Sequence, residues 1–364
     1  DRANELTAAT TASFLDYVYF TQLETSDPQT YGTTAAINGA YTQCSKTIQQ
    51  GRYDANIPGT SPSVPCDKIV FASGETIDGP LHTNDALIIC GTPTFGRSAS
   101  DLIEVSATDP GWYSSGCGGT SPNFKGQFLK GAPTLTPPPT NAQLKNVSGA
   151  MKYTGQVEIT LGSTSMTVKS GSTTLYSGSY PASGVIYVSN SSCTSGLNPF
   201  TATYPSTSTC GNVIVSGTYS VPLTIAAEND IIIGDDITRV TNSAGLLGLI
   251  ANNFIRVKHP ICPSNNLGCT NGTISQETAK GDCNNGVNGT GSNSNLRIDA
   301  AMLAIQHSFI VDHYDCGAKL GTLQVNGAIS QKYRGPVGLV GAAGYSKDYN
   351  YDDRLKYLAP PKFL

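Results

Sequence analysis

The sequence predicts an all-β fold: a right-handed parallel β-solenoid with a small antiparallel β insertion and short capping elements. Between residues 212 and 334, short apolar runs rich in β-branched residues recur about every twenty residues, and each run is too short for a stable helix. Asn, Gly and Asp residues separate the runs, as they do at the corners of stacked coils. The steps between runs are too short for the helical crossovers of βαβ units, which favours coils that stack directly on one another.

The composition is that of a weakly charged protein. The chain has 364 residues, of which 38% are hydrophobic and only 13% are charged, whereas soluble domains average about 25% charged residues. Gly, Ser, Thr and Asn supply much of the polar surface, which is typical of secreted β-rich proteins. The formal net charge of -4 and the lack of a basic stripe argue against a nucleic-acid partner.

The ten cysteines predict a disulfide framework formed in an oxidising, extracellular compartment. None has the C-x-x-C spacing of a zinc site, and their even number allows all of them to pair. The pairings expected from local spacing are Cys44–Cys66, Cys90–Cys117 and Cys193–Cys210. The pairing among the other four stays open: Cys262, Cys269, Cys283 and Cys316.

No segment of the sequence resembles a signal peptide or a membrane span. The longest apolar run falls far short of the roughly 20 residues that a spanning helix needs. Because the sequence begins at Asp1 rather than Met, we expect that an N-terminal targeting or anchoring segment has been removed. The sequence therefore predicts a secreted or surface-exposed location, with no membrane span in this chain.

Three segments follow from the patterns along the chain. Residues 1–140 are predicted to hold an N-terminal cap and the first coils, followed by a stiff proline connector at 137–139. Residues 141–190 contain VEITLGSTSMTVKSGSTTLYSG, which has the period-two alternation of antiparallel strands. Residues 191–364 are predicted to form the main solenoid, with a short helix in YNYDDRLKYL as its C-terminal cap.

One continuous core is predicted from the middles of successive apolar runs. Stacked coils align such residues in ladders, so that the core runs through the whole stack. The residues expected to point into it are Ile231, Ile233, Leu249, Phe254, Ile298, Leu303, Phe309 and Leu323.

Three stretches of the chain resemble a known family. They are ETIDGPLHTNDALIICGTPTFG (75–96), GLIANNFIRVKHP (248–260) and the region 298–364, which contains LGTLQVNGAISQKYRG and KDYNYDDRL. They are similar to uncharacterised secreted surface proteins of bacteria, common in actinobacteria, that accompany type IV pilus genes. The resemblance implies a β-helical ectodomain behind an N-terminal membrane or pilin-like segment, with surface or pilus proteins as partners. It implies no particular activity.

The alternative hypothesis is a carbohydrate-active β-helix enzyme, either a polysaccharide hydrolase or a lyase. Polygalacturonase-like enzymes use closely spaced aspartates, a histidine and an Arg-x-Lys; here Asp235 and Asp236 precede Arg256, Lys258 and His259. Two carboxylates could act as acid and base. The Gly-His-Gly and the Asn-x-Asp of that pattern are absent, however, and the two aspartates follow a strand where a corner should begin. We therefore predict that both are structural and that the chain has no catalytic residue.

Two histidines have polar neighbours that could make a site. His82 lies beside Asn84 and Asp85, and His313 lies beside Asp312. Such groups could bind a metal or transfer a proton, but a corner histidine that hydrogen-bonds to its neighbours is the more common arrangement. We predict no metal and no cofactor. The function predicted from the sequence is an extracellular structural or adhesive ectodomain, with surface proteins, pilus proteins or glycans as partners.

Overall fold

The structure is a computed structural model, and it describes residues 13–193, 199–263, 283, 286–339 and 341–363. Most of the regular structure in these residues is β-strand. One sheet has 22 strands, a second has three and a third has two. The chain is therefore mainly β, as the sequence predicts, and its strands pair mostly in parallel.

The strands, in chain order, are β1 (Tyr19–Leu23), β2 (Phe71–Ala72), β3 (Thr76–Asp78), β4 (Leu81–Thr83), β5 (Leu87–Cys90), β6 (Thr94–Phe95), β7 (Leu102–Val105), β8 (Trp112–Ser114), β9 (Asn123–Phe124), β10 (Gln127–Lys130), β11 (Met151–Thr154), β12 (Val157–Leu161), β13 (Ser165–Ser170), β14 (Thr173–Ser179), β15 (Val185–Ser189), β16 (Val213–Tyr219), β17 (Leu223–Ala227), β18 (Ile231–Arg239), β19 (Leu247–Ala251), β20 (Ile255–Val257), β21 (Ile261–Cys262), β22 (Val287–Asn288), β23 (Arg297–Ala304), β24 (Phe309–Val311), β25 (Lys319–Tyr333), β26 (Gly338–Leu339) and β27 (Ala343–Tyr351). The α-helix in the described residues is α1 (Thr34–Gln43), and the 3-10 helices are Phe14–Asp16, Pro28–Tyr31, Ile48–Gln50, Ala142–Asn146, Pro199–Thr201 and Asp353–Lys356.

The longest feature is a ladder of parallel strands, here called ladder A. Its strands lie in the order β11, β15, β17, β19, β23, β25, β1, β4, β7 and β10, and every neighbouring pair is parallel. Every residue of β17 (LTIAA) and β19 (LGLIA) is buried. Continuous apolar runs of this kind are expected where parallel strands are covered on both faces.

Further parallel ladders lie beside ladder A. Ladder B contains β12, the first halves of β16 and β18, β20 and β24. Ladder C contains the second halves of β16 and β18, the first halves of β23 and β25, and then β27, β3, β6 and β9. The separate three-stranded sheet, β2–β5–β8, is also parallel. From β16 to β20 the chain passes through these ladders in turn, and one such pass is here called a round. Each strand pairs with the strand of the same ladder from the previous round.

Antiparallel pairs are few in the described residues. β13 pairs with β12 and with β14, which gives the antiparallel strands predicted from the alternating sequence. The flanking strands β11 and β15, although they lie in the same segment 141–190, pair in parallel within ladder A. The short helix predicted in YNYDDRLKYL is found only as one 3-10 turn at Asp353–Lys356, because residues 349–351 are the end of β27. Tyr349 and Tyr351 are buried and alternate with the half-buried Asn350, which is the period of a strand.

The order of strands in ladder A differs from their order along the chain. Residues 13–130 supply β1, β4, β7 and β10 at one end, and residues 151–333 supply the other strands. The two parts meet where β1 pairs with β25 and where β3 pairs with β27. This junction, with the side chains that cross it, is here called the seam.

A connector, here called the strap (residues 131–146), runs from β10 back to the opposite end of ladder A. Nine strand spacings of about 4.8 Å separate β10 from β11, roughly 43 Å in all. The strap contacts several strand ends on its way. Leu135 exchanges hydrogen bonds with Asn84 after β4, and the Asn141 amide donates to the carbonyl oxygens of Ala227 and Ile250 at 2.8 and 3.0 Å. The strap contains the predicted proline connector, and it holds the strands along the length of the ladder.

The core follows the sequence prediction except at one position. Of the eight residues predicted to point inward, all but Leu303 lie in one buried cluster. Leu303 is buried in a second cluster with Tyr187, Ile250 and Leu144 of the strap. Its neighbour Met302 occupies the main core, and successive side chains of a strand point to opposite faces. The Leu303 side chain is therefore buried, but it points to the opposite face of the sheet from the one predicted. The strap covers that face.

Asparagine side chains stack at one corner of the ladders. The Asn229 amide donates to the Asn212 side-chain oxygen at 2.7 Å, and the Asn253 amide donates to the Asn229 oxygen at 2.6 Å. Each residue comes just before a strand of ladder B, so the hydrogen bonds connect one round of the chain to the next. These contacts explain why Asn recurs between the apolar runs of the sequence.

The described residues contain four disulfides: Cys44–Cys66, Cys90–Cys117, Cys193–Cys210 and Cys283–Cys316. The first three are the pairings that the sequence predicts. Cys262 is also disulfide-bonded, Cys269 lies outside the described residues, and no described cysteine is free. This framework fits an extracellular protein. None of the described helices has the length and apolar character needed to cross a membrane.

Candidate functional site

The buried ion pairs of the seam have their acids in residues 13–130 and their bases in the later part of the chain, whereas one exposed pair, Arg97 with Asp353, has the reverse polarity. Glu24, just after β1, pairs with Arg334, just after β25, at 3.1 Å. Glu75, just before β3, pairs with Lys347 of β27 at 2.6 Å. The first pair is almost fully buried, with side-chain exposures of 0% and 2%. The second is slightly more open, at 14% for Glu75 and 10% for Lys347.

Further polar contacts cross the seam beside these ion pairs. His307 Nδ1 lies 3.1 Å from both carboxylate oxygens of Asp27, and the Ser308 hydroxyl donates to the same carboxylate at 3.2 Å. The Tyr351 hydroxyl donates to the Leu15 carbonyl at 2.6 Å. Residues 13–130 thus present three carboxylates to two cations and a histidine of the later part of the chain.

Burial and neighbouring charges shift the pKa values of the ionisable side chains at the seam in different directions. Burial raises the pKa of Glu24, although Arg334 acts against this rise. Burial also acts to raise the pKa of Glu75, but Lys347 and Arg334 outweigh it and leave that pKa lowered. Burial lowers the pKa of Lys347. The Glu75 carboxylate is therefore ionised at neutral pH, and its charge depends on the cations across the seam.

The network extends outward from Glu24 into residues 24–70. The Glu24 backbone amide donates to the Asp85 carboxylate at 3.0 Å, and Asp85 also forms an ion pair with Arg52. Both members of that ion pair have side chains that are fully buried. The loop that carries Arg52 is closed by the Cys44–Cys66 disulfide, so a covalent link holds this cation near the seam.

A cavity of about 360 Å³ lies beside the seam. It is lined by Glu75, Lys347, Lys319 and Tyr345, together with backbone of the glycine-rich β26–β27 hairpin. It gives the Glu75–Lys347 pair limited access to solvent, and its mixed polar lining could hold a small polar ligand.

The two aspartates of the enzyme hypothesis lie on the surface. Asp235 and Asp236 are exposed in the middle of β18. Asp235 Oδ1 accepts a hydrogen bond from the Asp236 backbone amide at 2.8 Å, and Asp236 Oδ1 accepts one from the Arg297 backbone amide at 2.8 Å. Both carboxylates thus bind backbone amides, which is a common role for short acids at a bend.

The basic residues of the same hypothesis lie in a different environment. Arg256 is buried and forms ion pairs with Asp230 at 3.1 Å and with Asp312 at 2.7 Å. The Tyr204 hydroxyl donates to Asp312 at 2.8 Å. Burial raises the pKa of both aspartates, and the Arg256 charge opposes that rise. Arg256 therefore joins strands of the stack to the loop that carries Tyr204.

His259 and Lys258 surround this buried group. His259 is buried, with Nδ1 at 3.1 Å from the Asp312 carbonyl oxygen and Nε2 at 3.1 Å from Asn288 Oδ1. Burial lowers the pKa of His259 to about 4. The Lys258 ammonium lies over the Tyr204 ring at 5.2 Å from its centroid. Within the described residues, neither Asp235 nor Asp236 forms a hydrogen bond or ion pair with Arg256, Lys258 or His259.

The remaining sequence candidates also bind neighbouring protein groups. His82 is buried, with Nε2 at 3.1 Å from Asn84 Oδ1 and Nδ1 at 3.4 Å from Glu104. His313 Nε2 lies 2.9 Å from the Ala202 carbonyl oxygen. Each histidine thus contacts groups that position it within the fold.

Among the described residues, the group with metal-ligand spacing is Cys283, Asp315 and Cys316. Cys283 and Cys316 are joined in a disulfide, so neither sulfur is available as a thiolate ligand. This geometry therefore suits a covalent crosslink rather than a metal ion.

The sequence does not reveal the seam. The members of its two ion pairs are 272 and 310 residues apart along the chain. The sequence around Glu24 and Glu75 has no local pattern that distinguishes these buried acids from acids exposed on the surface. The signal that existed was the short apolar run YVYF before Glu24, which shows a strand but not its partner.

Comparison with known proteins gives no relative for this chain. No family model, no curated protein and no solved structure matches it.

Proposed function

We propose that this chain is the structural or adhesive ectodomain of an extracellular protein at a cell surface or pilus, and that its ladders form a right-handed parallel β-solenoid. Ladder A is the observation that carries the proposal. Its strands stack without interruption from β11 to β10. Inner strands of such a stack share backbone hydrogen bonds with both neighbours, which makes the stack suited to bearing load.

The use of charged residues supports the same proposal. Buried ion pairs such as Glu24–Arg334 and Arg256–Asp312 join strands and loops to one another. Disulfides close the loops that leave the stack. These features favour a scaffold that presents its surface to other molecules, and surface proteins, pilus proteins or glycans are the partners we propose.

The proposal is tested by locating the protein on intact cells. Antibodies raised against the purified chain are applied to unpermeabilised cells of the source organism and to surface filaments sheared from them. We expect label on the cell surface and enrichment in the filament fraction, with a cytosolic protein as the control for lysis. Detection only in the cytosol, or absence from both surface fractions, would contradict the proposal.

A further inference from the structure

We propose that the seam also forms between copies of this chain, so that residues 13–130 of one copy pair with β25 and β27 of another. Such self-association does not depend on where the protein is located, because it uses the order of strands in the ladders.

The two sides of the seam are different surfaces that complement each other. One side presents the edges of β1 and β3 with the carboxylates of Glu24, Asp27 and Glu75. The other presents the edges of β25 and β27 with Arg334 and Lys347. A more exposed pair, Arg97 with Asp353, adds a complementary contact of the reverse polarity. Unpaired parallel edges with opposite charges attract each other whether or not they belong to one chain. Because the two surfaces are not identical, their pairing between copies is head to tail, and such contacts extend into chains of molecules when they do not close.

The covalent connection between the two parts of the stack permits this exchange. In the closed molecule the strap runs roughly 43 Å back along ladder A. In the exchanged arrangement, residues 13–130 leave their own ladder, and the connection only has to join β10 to β11 of the same chain. The roughly 20 residues between β10 and β11 reach about 66 Å when extended, so the connection is long enough for both arrangements.

The covalent link favours the closed arrangement. Asn141 donates to two backbone carbonyls of ladder A, and Leu144 is buried against Tyr187, Ile250 and Leu303, so this part of the strap is held by strands that follow it in the chain. Residues 13–130 are therefore tethered close to β25 and β27 of their own chain, at a high effective concentration. We therefore expect exchange at high protein concentration, after conditions that loosen the seam.

The test uses two single-cysteine variants of the full chain. Asp78 of β3 and Asn350 of β27 are Cα partners across the seam, and both side chains are half-buried. Asp78→Cys and Asn350→Cys proteins are mixed at high concentration in urea just below the unfolding midpoint, without reductant, so that the native disulfides stay intact. The urea is then removed and the mixture is oxidised. We expect a covalent heterodimer on a non-reducing gel, because each closed molecule contains only one of the two new cysteines.

The matched control replaces Asn350→Cys with Asn326→Cys. Asn326 is the Cα partner of Asn350 on the next strand, so it lies two strands from Asp78 in ladder C. Two strand spacings, about 9.6 Å, exceed the span of a disulfide. Seam exchange therefore predicts a heterodimer yield at least several-fold higher for the Asp78→Cys and Asn350→Cys mixture. Equal yields in the two mixtures, or no heterodimer in either, would overturn the proposal.

Discussion

Removing the Lys347 cation from the seam should destabilise the folded protein strongly. In Lys347→Met, the buried Glu75 carboxylate loses the partner that lies 2.6 Å away. Loss of one member of a buried ion pair costs about 3–5 kcal/mol because the other charge is left uncompensated. Glu75 keeps 14% side-chain exposure and lines a cavity, so we expect the lower limit, about 3 kcal/mol at pH 7.5.

The loss of unfolding free energy in Lys347→Met should also depend on pH. The sign of this dependence follows from the direction in which the pKa of Glu75 is shifted in each protein. In the wild type the pKa of Glu75 is lowered from its ordinary value of 4.5, so its stabilising contribution is present above that value and is lost as the pH falls through the lowered pKa. In the variant, Arg334 and the Ala72 amide still act to lower the pKa of Glu75. Without Lys347, burial nevertheless leaves that pKa higher than in the wild type, so protonation at mildly acidic pH relieves part of the penalty. Between the two folded-state pKa values, the difference in unfolding free energy should shrink by about 1.4 kcal/mol per pH unit.

Urea denaturation of wild type and Lys347→Met between pH 7.5 and 4.5 measures both effects. The double variant Glu75→Gln/Lys347→Met removes both charges and should lie within about 1 kcal/mol of the wild type. Lys356→Met is the matched control, since Lys356 pairs with Asp353 at 3.0 Å on the surface, and such pairs contribute about 0–1 kcal/mol. A loss below about 1 kcal/mol for Lys347→Met at pH 7.5, or a loss that does not change with pH, would refute the reasoning.

Three further predictions follow from the core, the cysteines and the surface aspartates. Leu249→Ala and Ile298→Ala truncate side chains that are 0% exposed, and each should lower the free energy of unfolding by about 2–5 kcal/mol in chemical denaturation; losses below ~1 kcal/mol at both sites would show that these runs are not core strands. Alkylation of the unfolded chain without reductant, followed by mass spectrometry, should find no modified thiol, and two or more alkylated cysteines would contradict an oxidising compartment. Asp235→Asn/Asp236→Asn should alter stability alone, and the wild type should not cleave pectin, alginate or peptidoglycan; cleavage that the double change abolishes would instead establish the enzyme hypothesis.

Those parts of the fold that depend on local sequence could be predicted. The apolar runs of β17, β19 and β20 read directly as short strands, and Asn229 and Asn253 mark the corners between them. The disulfides with sequence separations of 17 to 27 residues were also predictable, because their loops are closed locally. In each case the residues that interact lie within one or two rounds of the chain.

The seam and the direction of Leu303 could not be predicted in this way. The seam joins edges whose apolar patterns fit any neighbouring strand equally well, so composition does not reveal that β1 lies beside β25. The strand AAMLA is buried on both faces, and a side chain under the strap has the same character as one in the main core. What distinguishes these arrangements is the route of the strap, which depends on contacts such as Asn141 with Ala227 that are 86 residues apart.

The position of β1 also determines when the molecule can finish folding during synthesis. One neighbour of β1 is β4, with side chains 62 residues apart along the chain, and the other is β25, where the separation reaches 310. The fivefold longer loop adds only about 1.4 kcal/mol to the entropy of closure, so the long-range pairing is thermodynamically accessible. It nevertheless forms late, because β25 leaves the ribosome only after all the strands between β1 and β25 have been synthesised. Until then one edge of β1 is unpaired, and an exposed strand edge on an incomplete chain is a site of aggregation. A chaperone that acts on this protein would therefore be expected to bind at the edge of β1.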